Sequence, residues 1–295
     1  MAGLEEISWI GCGRVGRTLA RVLNNAGYRI GVVLCKHPEN AQTAARFIGA
    51  GTPGKHLGSA ITSGTIHFLT TNDDALAGVV REIAAKHAGS LKGHYFFHTS
   101  GFLGSAVLEP LQQKGAETGS IHPLQVFANP EKALETLPGV YYAIEGTDRA
   151  MELAVKLVDR LQGKLLLIPE GRKVLYHVAG VFVANYLTVL VEYALSIMED
   201  LGETPEDAYQ AFLPLMVGAL ENIEEFGTAQ ALTGPIARGD AQTVQGHLDD
   251  LKKFRPEILC AYQVLGQEAV QLALRSGKLT AEGAKSLNKM LQEKS

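Results

Sequence analysis

The first half of the chain alternates short, β-branched apolar runs with stretches of helical spacing. ISWI (7–10), RIGVVLC (29–35), TIHFLT (65–70) and HYFFHT (94–99) read as strands with helices between them. Strand–helix alternation of this kind is the pattern of a parallel sheet covered by helices. GSIHPL (119–124), VYYAIEG (140–146) and KLLLIP (164–169) extend that sheet to about residue 168. From Gly171 onward the apolar residues recur at helical spacing, and LGETPED (201–207) and LTGPIARGD (232–240) stop the helices. The expected architecture is an α/β Rossmann doubly wound sheet over residues 1–168 followed by an all-α domain over 169–295.

One segment, Val178 to Met198, is long and apolar enough to resemble a membrane span. It carries Asn185, Glu192 and several hydroxyl groups, which are costly in lipid, so it reads as the central helix of the helical domain. Its start, GRKVLYHVAGVFVAN (171–185), reads as buried helix. Burying Lys173, His177 or Asn185 there is costly unless each is paired, so all three need a reason to be present.

Composition narrows the function classes. A chain of 295 residues is long enough for two domains, each with its own core. A net charge of −4, without a Lys/Arg cluster, gives no footprint for nucleic acid or an anionic membrane surface, which leaves a small-molecule substrate. Three widely spaced cysteines suggest neither a disulfide framework nor a zinc site. The nine histidines include no HExxH pattern, so no metal is expected. The start MAGLEEISWIGCG has no basic, apolar and small-residue succession of an export signal, and the expectation is a cytoplasmic protein.

The first chemical motif is GCGRVG, formed by Gly11, Cys12, Gly13, Arg14, Val15 and Gly16, between the first strand and a helix. The first glycine allows the tight turn, the second lets backbone approach a pyrophosphate, and the third lets helix pack on strand. An NAD site usually ends the second strand with an acid that holds the ribose 2′-hydroxyl. Here Cys35-Lys36-His37 stands instead, and the Lys36 cation suits a 2′-phosphate, so NADP is favoured over NAD.

Other strand ends should border the same cleft. TTNDD supplies Thr70, Thr71 and Asn72, with Asp73 and Asp74 read as helix caps; HTSG supplies Ser100 and Gly101, which shape a nicotinamide pocket; SIHPL supplies His122. Lys173 and His177 are four apart and share one helix face with the small residues Gly180 and Ala184, while Asn185 lies near its rim. Arg238, in the loop TGPIARGD, could hold a substrate carboxylate, and Asp240 could cap the next helix.

HTSG, GSIHPL, the spacing Lys-x-x-Tyr-His followed after seven residues by Asn, and LTGPIARGD, in this order after GxGxxG, carry a resemblance over nearly the whole chain. It resembles Rossmann-like oxidoreductases with a helical C-terminal domain of unknown function (DUF2520), distant relatives of pyrroline-5-carboxylate reductase, ketopantoate reductase and the β-hydroxyacid dehydrogenases. The resemblance implies a second domain of the 6-phosphogluconate-dehydrogenase C-terminal type, use of NADP, and a homodimer formed through the helices. It also implies that Lys173 supplies a proton to the substrate oxygen; where those enzymes place Asn or His-Asn three and four residues on, this chain has Tyr176-His177, and His177, Asn185 and His122 are expected to orient the substrate. Cys35-Lys36 departs from the Ser-Arg common among relatives but keeps the positive charge; Gly180 and Ala184 fall where Ala and Ser are common. The expectation is an NADP-dependent oxidoreductase acting on a small carbonyl or imine, and the alternative is an NADP-binding sensor acting through its helical dimer.

Overall fold

A computed structural model gives the fold of residues 6–293. Residues 1–5, part of the N-terminal stretch read above for export, lie outside the described residues.

Eight strands form one sheet among the described residues: β1 Glu6–Ile10, β2 Arg29–Leu34, β3 Thr52–Pro53, β4 Ile66–Leu69, β5 Tyr95–His98, β6 Glu117–Pro123, β7 Tyr141–Gly146 and β8 Lys164–Leu167. Their spatial order is β3-β2-β1-β4-β5-β6-β7-β8. The order reverses between β1 and β4, which is where a doubly wound sheet opens its ligand crevice. All seven expected strands are present. The sequence pattern missed β3, whose two residues are too short to show a period. It also missed a direction: β7 runs antiparallel to β6, while every other neighbouring pair is parallel. Alternation of apolar residues marks a strand without saying which way it points.

The central strands β1, β4, β5 and β6 are buried on both faces, which explains their nearly continuous apolar runs, while the edge strands β3 and β8 are exposed. Trp9 on β1 stacks on Phe68 of β4 at 4.4 Å between ring centres, and Phe97 of β5 continues the layer. The helix Arg14–Asn25 covers this layer with Gly16, Thr18, Leu19, Ala20 and Leu23, spaced as one helical face.

The chain divides into two compact units, Met1–Asn185 and Tyr186–Ser295, rather than at residue 168 where the strand pattern stops. The second unit is helical throughout, with helices Leu187–Asp200, Pro205–Ala231, Pro235–Arg238, Ala241–Phe254, Pro256–Arg275 and Ala281–Leu291. Val244, Leu248, Leu259, Val270, Ala273 and Leu287 belong to its own core. Asp240 caps Ala241–Phe254 by accepting from the Thr243 backbone N–H at 3.1 Å, as its position suggested.

Two local expectations are corrected. Asp73 and Asp74 are not caps: the N-cap is Asn72, and the two acids occupy the first helical turn, where their charge meets the helix dipole. The stretch 171–185 is not a buried helix in the single chain. Within the helix Lys173–Val181 the buried residue is Lys173, while Val174, Leu175 and Val178 are exposed. The apolar character continues through a π-turn, Phe182–Tyr186, into Leu187–Asp200, which buries none of its residues. Lys173–Asp200 has a mean hydropathy of 1.8 over its most apolar window and is long enough to cross a membrane. What buries the lysine is a set of polar partners within its own unit; the apolar side chains find no comparable cover there.

Candidate functional site

The glycine loop is shaped as its sequence suggested. Gly11 has φ +82°, and a Cβ there would lie 2.7 Å from the Thr71 backbone nitrogen, so the position requires glycine twice over. A Cβ on Gly16 would overlap Thr70 Oγ1 and sit 2.9 Å from the Gly11 carbonyl oxygen, which is the close helix–strand approach assigned to the third glycine. Gly13 differs, because nothing in the protein lies within 4 Å of its Cβ position. That space is open for a ligand. Gly13 is the N-cap of Arg14–Asn25, offers no side-chain cap, and is followed by no acid in the first turn, so the helix end presents free N–H groups and positive polarity. Arg14 is exposed and Cys12 and Val15 are half-buried beside it.

The β4 loop closes the other side. The Thr70 N–H donates to the Ile10 carbonyl at 2.8 Å, and Thr70 Oγ1 donates to the Gly11 carbonyl. Thr71 Oγ1 is buried without a hydrogen-bond partner, and Asn72 is exposed at the helix start. An orphaned hydroxyl beside unfilled helix N–H groups fits a dinucleotide phosphate. Lys36 is exposed just beyond β2.

A second set of polar groups arises from strand register. His98 on β5 pairs with Ser120 on β6, and Ser120 pairs with Glu145 on β7. Directly opposed residues share a sheet face, so the three side chains form one polar row. Lys173 Nζ lies over this row: it donates to Ser120 Oγ and stands 3.5 Å from Glu145 Oε1. Glu145 Oε1 also accepts from the Ser105 backbone N–H at 2.5 Å. Burial lowers the Lys173 pKa to about 8, against the opposing pull of Glu145 and, more weakly, of Asp73. The lysine is therefore poised to exchange a proton near neutrality. Burial and the same ammonium hold His98 down at about 3, so His98 is neutral and accepts from the Ser100 N–H at 3.2 Å.

Beside the row, His122 Nδ1 and the Tyr176 hydroxyl are 2.8 Å apart. Burial, with the Lys173 charge second, lowers His122 to about 4, and burial pushes the Tyr176 phenol up to about 12. Both groups are neutral at physiological pH. Gly101 lies where this pair meets the helix: a Cβ there would sit 2.7 Å from His122 Nε2 and 3.0 Å from His177 Nδ1. The His177 ring meets Phe102 edge-on at 6.2 Å. Gly101, His122, Tyr176 and His177 thus converge, with Lys173 one helical turn from His177.

Within the first unit, Ser100 and Asn185 are not part of this cluster. The Ser100 hydroxyl oxygen accepts from Phe102 N and Leu103 N at 3.1 and 2.9 Å, so its first task is to hold the turn that places Gly101. Asn185 is exposed within the π-turn, because the wider turn interrupts the helical phase that would have carried it round. Arg238 is exposed at the end of Pro235–Arg238 in the helical unit.

A Rossmann-like domain model matches residues 4–123, and the model of DUF2520, a domain of unknown function, matches residues 140–269. The two matches follow one another along the chain. Among solved structures, this chain is similar to protein TM1727 from Thermotoga maritima, with 27% identity and TM-score 0.69 over 92% of this chain and 98% of that one. It is also similar to BF3122 from Bacteroides fragilis, named as a candidate NADP oxidoreductase, with 20% identity and TM-score 0.73 over 91% and 98% of the two chains. A reductive aminase from Aspergillus terreus, in complex with NADPH and ethyl-5-oxohexanoate, matches at 15% identity and TM-score 0.60, over 98% and 93%. Among curated proteins, none matches significantly.

Reasoning from the sequence overlooked Ser120, Glu145, His98 and Tyr176. Ser120 and His98 lie inside motifs already singled out for their neighbours, and Tyr176 sits between the chosen Lys173 and His177. Glu145 carried no local signal, since its role depends on β7 running antiparallel to β6.

Proposed function

We propose that the chain is an NADP-dependent reductase that transfers hydride between the nicotinamide and a small carbonyl or imine substrate. The observation that carries this reading is Lys173, a buried ammonium with a lowered pKa, set on a polar row at the strand ends that adjoin an open dinucleotide loop. The solved neighbours named for NADPH, imine reduction and pyrroline-5-carboxylate reduction support the same chemistry.

Gly11, Gly13, Gly16 and Thr71 would hold the phosphates of the cofactor, which when bound would supply the hydride. Lys36 would hold the 2′-phosphate. The protein's own part is the proton. Lys173 Nζ donates it to the substrate heteroatom and regains it from solvent, while Ser120 and Glu145 fix the amine in place. Neutral His122 and Tyr176 offer hydrogen bonds without competing for charge, and His177 with Gly101 bounds the space for the substrate carbon. Arg238 is proposed as a carboxylate anchor.

The exposed apolar side chains of Leu187–Asp200 and Pro205–Ala231, including Val189, Leu190, Leu215 and Leu220, support a homodimer formed through the helical unit. The protein then works as a soluble cytoplasmic enzyme. Light scattering at micromolar concentration should report a dimer in detergent-free buffer; a monomer, or a protein that needs detergent, would count against it.

Screening small oxo acids and cyclic imines for NADPH oxidation tests the reaction. Tighter binding of NADPH than NADH, measured by calorimetry, tests the cofactor. An NADP-binding protein with no turnover on any member of that screen would instead favour a sensor.

A further inference from the structure

A second opening reaches the polar row from its other end. Ser105, Glu109, Thr118, Glu145, Thr147 and Glu170 line a pocket of about 520 Å³. All six belong to the first unit. Glu109 and Glu170 are exposed, whereas Thr118 is buried. Alternate residues of a strand share a face, so Thr118, Ser120 and His122 follow one another along one side of β6. That line runs from the pocket at Thr118, past Ser120 and the lysine it holds, to His122 beside Tyr176 and Gly101. The pocket and the substrate cluster are thus two ends of one strand face, with Lys173 between them.

A single carboxylate separates Lys173 from the pocket. The lysine side chain is 3% exposed and takes no part in the pocket lining. Glu145 does line it, and its Oε1 stands 3.5 Å from Lys173 Nζ while accepting from the Ser105 N–H at 2.5 Å. The carboxylate meets the amine on one side and the pocket on the other. A proton donor buried this deeply has to be reloaded after each turnover, and it gives its proton up at the substrate end.

We propose that the pocket is a water-filled inlet through which Lys173 is reprotonated, with the Glu145 carboxylate passing the proton from pocket water to Nζ. The need for reloading rests on the reading of Lys173 as the proton donor above; the path itself stands on the contacts.

The pocket has room for several waters, and Glu109, Thr118 and Glu170 offer them polar partners. Once Lys173 has given its proton away, Glu145 takes one from a hydronium ion in the pocket, and its O–H then donates that proton to the neutral Nζ. The ammonium re-forms, the carboxylate is regenerated and water is left. Acid–base pairs at this separation close to hydrogen-bond distance as a site tightens around its ligands. Run in reverse, the same path exchanges the ammonium protons of the resting protein with solvent.

That exchange can be read without a substrate. In protein carrying isotope-labelled lysine, the Lys173 ammonium resonance is identified by its loss in Lys173→Met, and its exchange with water is measured at about pH 6, where the amine is protonated. Glu145→Gln keeps the shape and still accepts from the Ser105 N–H, yet it cannot carry a proton. Ala106→Trp fills the pocket that Ala106 lines and leaves Lys173, Ser120 and Glu145 in place. Each substitution should slow the exchange by about tenfold or more. Formate added to Glu145→Ala should restore it, because a small carboxylate can then relay the proton from the pocket. Exchange at the unsubstituted rate in Ala106→Trp would overturn the inlet, and that variant decides the matter if Glu145→Gln fails to fold. Slowing in Ala106→Trp with none in Glu145→Gln would overturn Glu145 as the carrier. A protein that exchanges as expected but reduces nothing in the carbonyl and imine screen would defeat the reductase reading while the inlet stands.

Discussion

The helices Arg14–Asn25 and Leu187–Asp200 are of similar length, yet the first buries five of its residues and the second none. Arg14–Asn25 is amphipathic: its apolar residues fall on one face, meet the sheet, and leave the charges outside. Leu187–Asp200 is apolar over much of its circumference, and many of those side chains stay in water in a single chain. The sheet unit closes its core from its own sequence. The helical unit leaves apolar surface exposed, and a helix hydrophobic on several sides carries that feature in its sequence.

The largest expected effect separates the two regions directly. Phe68→Ala, within the stacked layer of β1, β4 and β5, should destabilise the sheet unit by about 3–5 kcal/mol in denaturant unfolding. Leu220→Asp on the exposed side of Pro205–Ala231 should change monomer stability by under about 0.5 kcal/mol, yet shift light scattering from dimer to monomer. Equal losses of stability would erase the contrast.

Next comes Lys173, the one buried ammonium or carboxylate side chain among the described residues of the sheet unit. Lys173→Met keeps much of the packing while removing the ammonium, so NADPH binding should survive while turnover falls by about 10² or more. In the unsubstituted enzyme, reduction needs the protonated amine, so its rate should decline as pH rises through about 8. Stability has the opposite sign. A lysine with a depressed folded pKa binds fewer protons than in the unfolded chain between about 8 and its ordinary value of 10.5, so its contribution improves as pH rises through that window. The difference in unfolding free energy between the protein and Lys173→Met should follow that slope, and a flat difference would make the lysine an ordinary exposed one.

A smaller effect contrasts two glycines of one loop. Gly13→Ala meets no protein atom and should keep the melting temperature while weakening NADPH about tenfold, whereas Gly16→Ala should lower the melting temperature too. The smallest is Lys36→Asp, expected to erode the preference for NADPH over NADH by a few fold at the exposed end of β2.

Much of this was legible in the sequence because it is local. Seven strands, the glycine loop, the helical second half and the Asp240 cap each follow from a short run of residues. Lys173 was found because a cation in an apolar run contradicts its surroundings. Glu145 was missed because its partner Ser120 lies on another strand, and only the reversed direction of β7 makes them opposite. The placing of Asn185 near the rim of the Lys173 face projected helical phase through a segment that widens into a π-turn. Local pattern fixes which residues form an element; register and phase across elements are set by packing.

The polar row has a further consequence for how the sheet assembles. Ser120 and Glu145 are opposed on the antiparallel pair β6–β7, and Lys173 needs both. A slip of one residue would set Ser120 against Ile144 or Gly146 and turn Glu145 to the other face, leaving an ammonium group in the interior with no carboxylate beside it. The amine thus acts as a proofreader of strand alignment: the chain can seal over Lys173 cheaply in one register and not in its neighbours.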